Sequence, residues 1–204
     1  KHLHMLYKKL LLVLALFSFS TGFAQEKTIV TSPGSDIKLT FWLDEAGAPM
    51  YSVTYKNKPV ILPSAMGFQL KETSTDKPLP AADKNFKIAN TASTSVSNKW
   101  KPVWGDVKEI ADNYNQYVVS LVQQNDRALQ LNIVFKVFDD GVGFRYEFPQ
   151  QKNLTHFIVS AEKTAFHLTG NHKEFWIKGD YDSNEFNPNT TNISDIDASN
   201  SVYT

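Results

Sequence analysis

Four oxygen-bearing side chains, Asp180, Asp182, Asn184 and Glu185, crowd the end of the stretch Phe175–Phe186, FWIKGDYDSNEF. Carboxylate and amide oxygens at that density suit a hard divalent cation such as calcium, which takes about 6–8 oxygen ligands. Asp180-x-Asp182-x-Asn184 reproduces the first three ligand positions of the helix-loop-helix calcium site. That site also needs a glycine where Glu185 stands and a bidentate glutamate where Thr191 stands, so it is excluded. Two readings remain. The loop gives one or two ligands to a cation completed elsewhere, or it is a solvated acidic turn.

Trp100 and Trp104, with Pro102 between them and Gly105 after, can offer flat indole faces to the C–H faces of a sugar ring, or can pack in a core as tryptophans of sandwich domains usually do. Trp42 and Trp176 read as core. His156, His167 and His172 are spread over separate segments, without the spacing of a metal site. There is no Gly-x-Ser-x-Gly elbow and no glycine-rich phosphate loop. A glycosidase needs two carboxyl groups facing each other about 5–10 Å apart across a sugar pocket. Glu109, Glu147, Glu162, Glu174 and Glu185 qualify by type, but their spacing selects no pair, so no catalytic residue is expected within these residues.

The elements that must position these groups read as strands. Ile37, Leu39, Phe41 and Leu43 alternate with Lys38, Thr40 and Trp42, and Tyr51, Val53 and Tyr55 continue the period beyond a turn at Asp44–Pro49. Lys56-Asn57-Lys58-Pro59 is a second turn, before Val60–Leu62. Leu129, Leu131, Ile133, Phe135 and Val137 are expected to pair with Val142, Phe144, Tyr146 and Phe148 across Asp139-Asp140-Gly141, with Gly141 at positive φ. On the other face Lys136, Arg145 and Glu147 are expected to form cross-strand charge pairs. Residues 72–94 read as a long polar connection holding one short strand around Phe86–Ile88. No helical stripe is sustained, so the fold class is all-β, an antiparallel β-sandwich.

Across 204 residues, 21 Lys and Arg balance 21 Asp and Glu, which removes the basic excess of a nucleic-acid binder. Cysteine is absent, which excludes disulfides, thiolate zinc sites and a cysteine nucleophile. Residues 1–24 read as an export signal with a few upstream residues: Lys8 and Lys9 precede an apolar run, Leu10–Phe17, too short to span a bilayer, and Gly22 and Ala24 mark a cleavage site. Residues 25–186 then form the sandwich domain, and 187–204 a polar tail or linker. Export to the periplasm or cell envelope is the expected location.

Several strings in order, Lys56-Asn-Lys-Pro, Trp100-Lys-Pro-Val-Trp-Gly, Asp140-Gly-Val-Gly-Phe-Arg-Tyr-Glu-Phe-Pro, Phe175-Trp-Ile and Gly179-Asp-Tyr-Asp, resemble the amino-terminal part of glycoside hydrolase family 97. The resemblance implies a β-supersandwich of the galactose-mutarotase type, followed after Thr204 by a (β/α)8 catalytic barrel and a carboxy-terminal β domain. It implies an exo-acting, calcium-dependent enzyme cleaving terminal α-glucosidic or α-galactosidic bonds. It also implies that Glu185, after Gly-Asp-Tyr-Asp, ligates the active-site calcium, whereas Asp180 and Asp182 inherit no ligand role. The segment 175–186 is more similar to the inverting, α-glucoside-cleaving branch, with malto-oligosaccharides as substrates; these residues alone are expected to be inactive. Alternatives are an α-galactosidase of the same family, a stand-alone carbohydrate-binding module using Trp100 or Trp104, and a domain that only supports its neighbour.

Overall fold

The computed structural model describes residues 26–73, 75, 77–152, 154–179 and 185–197, with the backbone of 202–203. Strands follow one another as β1 (Thr28–Thr31), β2 (Ile37–Leu43), β3 (Pro49–Tyr55), β4 (Lys58–Ala65), β5 (Phe68–Lys71), β6 (Phe86–Trp100), β7 (Ile110–Gln123), β8 (Gln130–Val137) and β9 (Val142–Glu147). The order continues with β10 (Ile158–Glu162), β11 (Lys173–Lys178), β12 (Asn189–Asn192) and β13 (Val202–Tyr203), and a 3-10 turn, Ile193–Asp195, is the one helical element among the described residues.

Two four-stranded antiparallel sheets, β1-β2-β3-β4 and β6-β7-β8-β9, pack face to face. The expected all-β antiparallel sandwich is the observed architecture. Alternation builds it: Ile37, Leu39 and Phe41 of β2 are buried between the sheets. From the other side Val119, Leu131, Ile133, Phe135 and Val137 meet them, and the rings of Phe41 and Phe135 lie 5.7 Å apart. Each such aromatic pair adds about 0.5–1.5 kcal/mol beyond the area it buries. The β3–β4 hairpin closes through Lys56 and Asn57, both at positive φ (49° and 61°), as a two-residue turn matching the sheet's twist requires. A smaller sheet of β5 and β10 covers one end, where Phe68 packs edge-on to Tyr146 at 4.5 Å.

Several details depart from expectation. The β8–β9 turn closes with Phe138 N–H donating to the Gly141 carbonyl at 2.8 Å, and Gly141 is not among the glycines at positive φ. Asp139 takes over the job of fixing the turn, by reaching Gly34. The charge pairs also differ: Arg145 bonds Glu147 along its own strand, while Lys136 lies 4.1 Å over the Tyr114 ring, because Lys136 faces Gly143 across the ladder.

The largest departure is β6. Instead of a short strand at 86–88 within a polar connection, fifteen residues pair with β7 in one ladder. Its middle, ANTASTSVSN, has no apolar alternation because almost none of it is buried; backbone pairing with β7, not a buried face, makes it a strand.

Candidate functional site

β11 carries the start of the segment singled out in the sequence, Phe175–Lys178. It lies between β12 and β13 in a small antiparallel sheet, so residues 187–204, expected as a polar tail, contain two strands that pair with β11. The Trp176 indole N–H donates across this sheet to Thr191 Oγ1 at 3.0 Å, and Trp176 is half-buried. The sheet's far end is fixed by Asn171, whose Nδ2 donates to Ser194 Oγ at 2.8 Å and whose Oδ1 accepts from Ser194 N–H at 3.0 Å.

Glu185 stands in the connection from β11 to β12, with its side chain exposed, next to the exposed Phe186. Asp180, Asp182 and Asn184 lie outside the described residues. Among the described residues no three His, Asp or Glu side chains converge to hold a metal ion. A hard cation needs more oxygens than one carboxylate gives, so Glu185 by itself makes no cation site. Two of the five glutamates are held in surface ion pairs: Glu109 bonds Lys99 at 2.8 Å and Glu147 bonds Arg145.

Trp100 and Trp104 are not core. Trp100 is 48% exposed and Trp104 87% exposed, with Val103 at 99%. The cause is positional. β7 pairs with β8 only over Asn115–Val122, whereas β6 and β7 go on pairing with each other from Val96↔Tyr114 to Trp100↔Ile110. This five-pair extension is a two-stranded arm, about 16 Å long at about 3.3 Å per residue. Its tip is the loop bearing Trp104. Trp42, as expected, is buried at 6%, and the ammonium of Lys27 lies 4.7 Å from its ring.

An open apolar cleft of about 660 Å³ lies at one end of the sandwich, walled by Tyr51, Val53, Tyr55, Val60, Ile61, Phe144 and Phe166. Two of its polar groups, Tyr51 and Asp139, have structural partners. The Tyr51 hydroxyl donates to the Ala165 carbonyl at 2.8 Å, and burial pushes that hydroxyl up to about 12; Asp139 at the rim accepts from Gly34. Sequence reading misses this cleft, whose one legible signal is the apolar Val60–Leu62 run. His156 and His167 are exposed, the latter bonded through Nδ1 to the Pro63 carbonyl at 2.9 Å.

The family description Glycosyl-hydrolase 97 N-terminal matches residues 30–204. Among solved structures, a glycoside hydrolase family 97 enzyme from Pseudoalteromonas sp. strain K8, in complex with panose, superposes with a TM-score of 0.74 at 31% identity, over 82% of this chain and 25% of that one. An acarbose complex of a family 97 enzyme from the same strain gives 0.72 at 31% identity, over 80% and 24%. A β-arabinopyranosidase gives 0.63 at 20% identity, over 78% and 24%, a likeness of fold alone. The chain spans about a quarter of the length of these relatives.

Proposed function

The chain belongs to glycoside hydrolase family 97 through its amino-terminal domain, and from that membership we propose that it forms one wall of the active site of an exported, calcium-dependent, exo-acting α-glucosidase on malto-oligosaccharides. The observation that carries the reading is the match over residues 30–204 together with an exposed Glu185 in the connection from β11 to β12. The α-glucosyl preference draws support from the relative at 31% identity crystallised with panose, a trisaccharide of α-linked glucose. An inverting outcome and a periplasmic or envelope location belong to the same proposal.

In this reading Glu185 holds one coordination position of the calcium, and the other ligands and the catalytic carboxylates come from the rest of the polypeptide. When bound, the ion polarises sugar hydroxyls beside the cleaved bond and neutralises developing charge. The contribution of this chain is positional. The Trp176–Thr191 and Asn171–Ser194 bonds brace the two strands that flank the connection carrying Glu185, and reacting groups need their ligands held within a narrow tolerance.

The test is hydrolysis of p-nitrophenyl α-glucoside and α-galactoside by the full-length protein, with calcium binding followed by calorimetry. Cleavage of the glucoside, loss of activity with EDTA, and at least a tenfold weaker calcium affinity in Glu185→Ala are expected. Full activity and unchanged calcium affinity in Glu185→Ala would remove the site assignment; preference for the galactoside would move the chain to the other branch of the family.

A further inference from the structure

We infer that the tip of the β6–β7 arm is a glycan-holding platform, on which the indole of Trp104, with Trp100 beside it in the chain, stacks against glucosyl rings; the identity of the sugar rests on the function proposed above.

An indole left 87% in water is the observation to be explained. Tryptophan carries the largest apolar surface of any side chain, and Trp104 forgoes the stabilisation that burying it would bring. Here the sequence places two tryptophans four positions apart, at the end of an arm that projects past the last β8 pairing, where no part of the core can reach them. Isolated two-stranded ribbons are marginal on their own. This arm is braced at its tip by the Lys99–Glu109 ion pair and lower down by the bond from Ser95 Oγ to Asn115 Oδ1 at 2.6 Å. Gly105, at φ +130°, sits directly after Trp104 with nothing within 4 Å of where a Cβ would stand, so the chain turns away and leaves that side of the loop open.

Charge selects among ligands. Lys99, Lys101 and Lys108 are offset by Asp106 and Glu109, and Lys99 is already paired with Glu109. An anionic lipid surface or a nucleic acid would call for a uniformly basic collar around the aromatic tip. A neutral sugar does not. Its C–H faces fit the indole, and its equatorial hydroxyls meet mixed donors and acceptors such as Lys101 and Asp106.

The experiment uses the full-length protein. Hydroxyl-radical footprinting of the peptide spanning Trp100–Trp104, with and without maltoheptaose, is expected to show both indoles oxidised in the free protein and protected at saturating sugar. In gels containing soluble starch the wild type should be retarded, Trp100→Ala/Trp104→Ala should lose at least tenfold in apparent affinity, and Trp104→Tyr should keep most of it. Equal oxidation with and without sugar overturns the platform. So does an indole already protected in the free protein, since that means another part of the polypeptide covers the tip. The footprint needs no variant, so it remains decisive even if the double substitution misfolds. Glucoside hydrolysis without protection at the tip refutes this inference alone; protection at the tip without hydrolysis refutes the enzymatic reading alone.

Discussion

The carboxylate of Asp139 accepts a hydrogen bond from the backbone N–H of Gly34 at 2.6 Å, joining the tip of the β8–β9 hairpin to the β1–β2 turn of the opposite sheet. A Cβ at position 34 would stand 2.9 Å from that same carboxylate oxygen, so the contact depends on glycine as well as on aspartate. The bond is charge-assisted but exposed, which places its worth near the low end of the range for bonds to ions. Asp139→Ala is expected to lower stability by about 1 kcal/mol, read as a lower denaturant midpoint at unchanged slope.

Phe135 is fully buried and contacts the rings of Phe41 at 5.7 Å and Phe144 at 6.2 Å. Phe135→Ala should cost about 3–5 kcal/mol, because the rigid strands on both sides cannot close the hole. Phe135→Leu should recover more than half of that loss in the same denaturation experiment.

Alkaline pH should weaken the sandwich. Burial raises the hydroxyls of Tyr51 and Tyr146 from 10.0 to about 12, although the bond from Tyr146 to Thr164 at 2.6 Å offsets part of the effect at that site. Above pH 10 the unfolded chain loses these protons while the folded chain keeps them. The stabilisation is therefore complete below pH 10.0 and disappears as pH rises towards about 12. Melting temperature against pH checks this, and Tyr146→Phe should flatten the alkaline fall.

Gly67, at φ +149°, leads into β5 where the chain passes against the Ala82–Asp83 backbone. A Cβ there would lie 2.6 Å from the Ala82 carbonyl oxygen and 2.7 Å from Asp83 Cα, and neither backbone atom can rotate away. Gly67→Ala is expected to destabilise by about 1–3 kcal/mol or more through strain. By contrast Arg145→Ala, which removes an exposed ion pair within one strand, should change stability by less than about 1 kcal/mol. Parallel urea melts of the two variants test the contrast.

What can be read in the sequence is what burial imposes. Leu39 and Phe41, Leu131 and Phe135 announce their strands because each faces a core, and the register of β2, β3, β8 and β9 follows from that alternation. The strand β6 gives no such sign, since Ser93, Thr94 and Ser95 are exposed and only the ladder to β7 defines them. The role proposed for Glu185 comes from family resemblance alone: a lone carboxylate has no spacing to betray it. For Trp100 and Trp104 residue type misleads, and the reason is physical. Type favours burial, but exposure is decided by how far β6 and β7 outrun β8, which is a matter of relative strand length and not of any residue at the tip.

The side of β6 away from β7 has no strand partner among the described residues, and an edge of this kind invites pairing between copies. From Ile88 to Asn98 β6 carries no charge or proline to discourage a newcomer. Extended polypeptide adds to such rims by amide-to-carbonyl bonding whatever its side chains. Colloidal behaviour should thus hang on a strip of serine and threonine, and a single lysine introduced at Thr94 should delay clouding of concentrated samples.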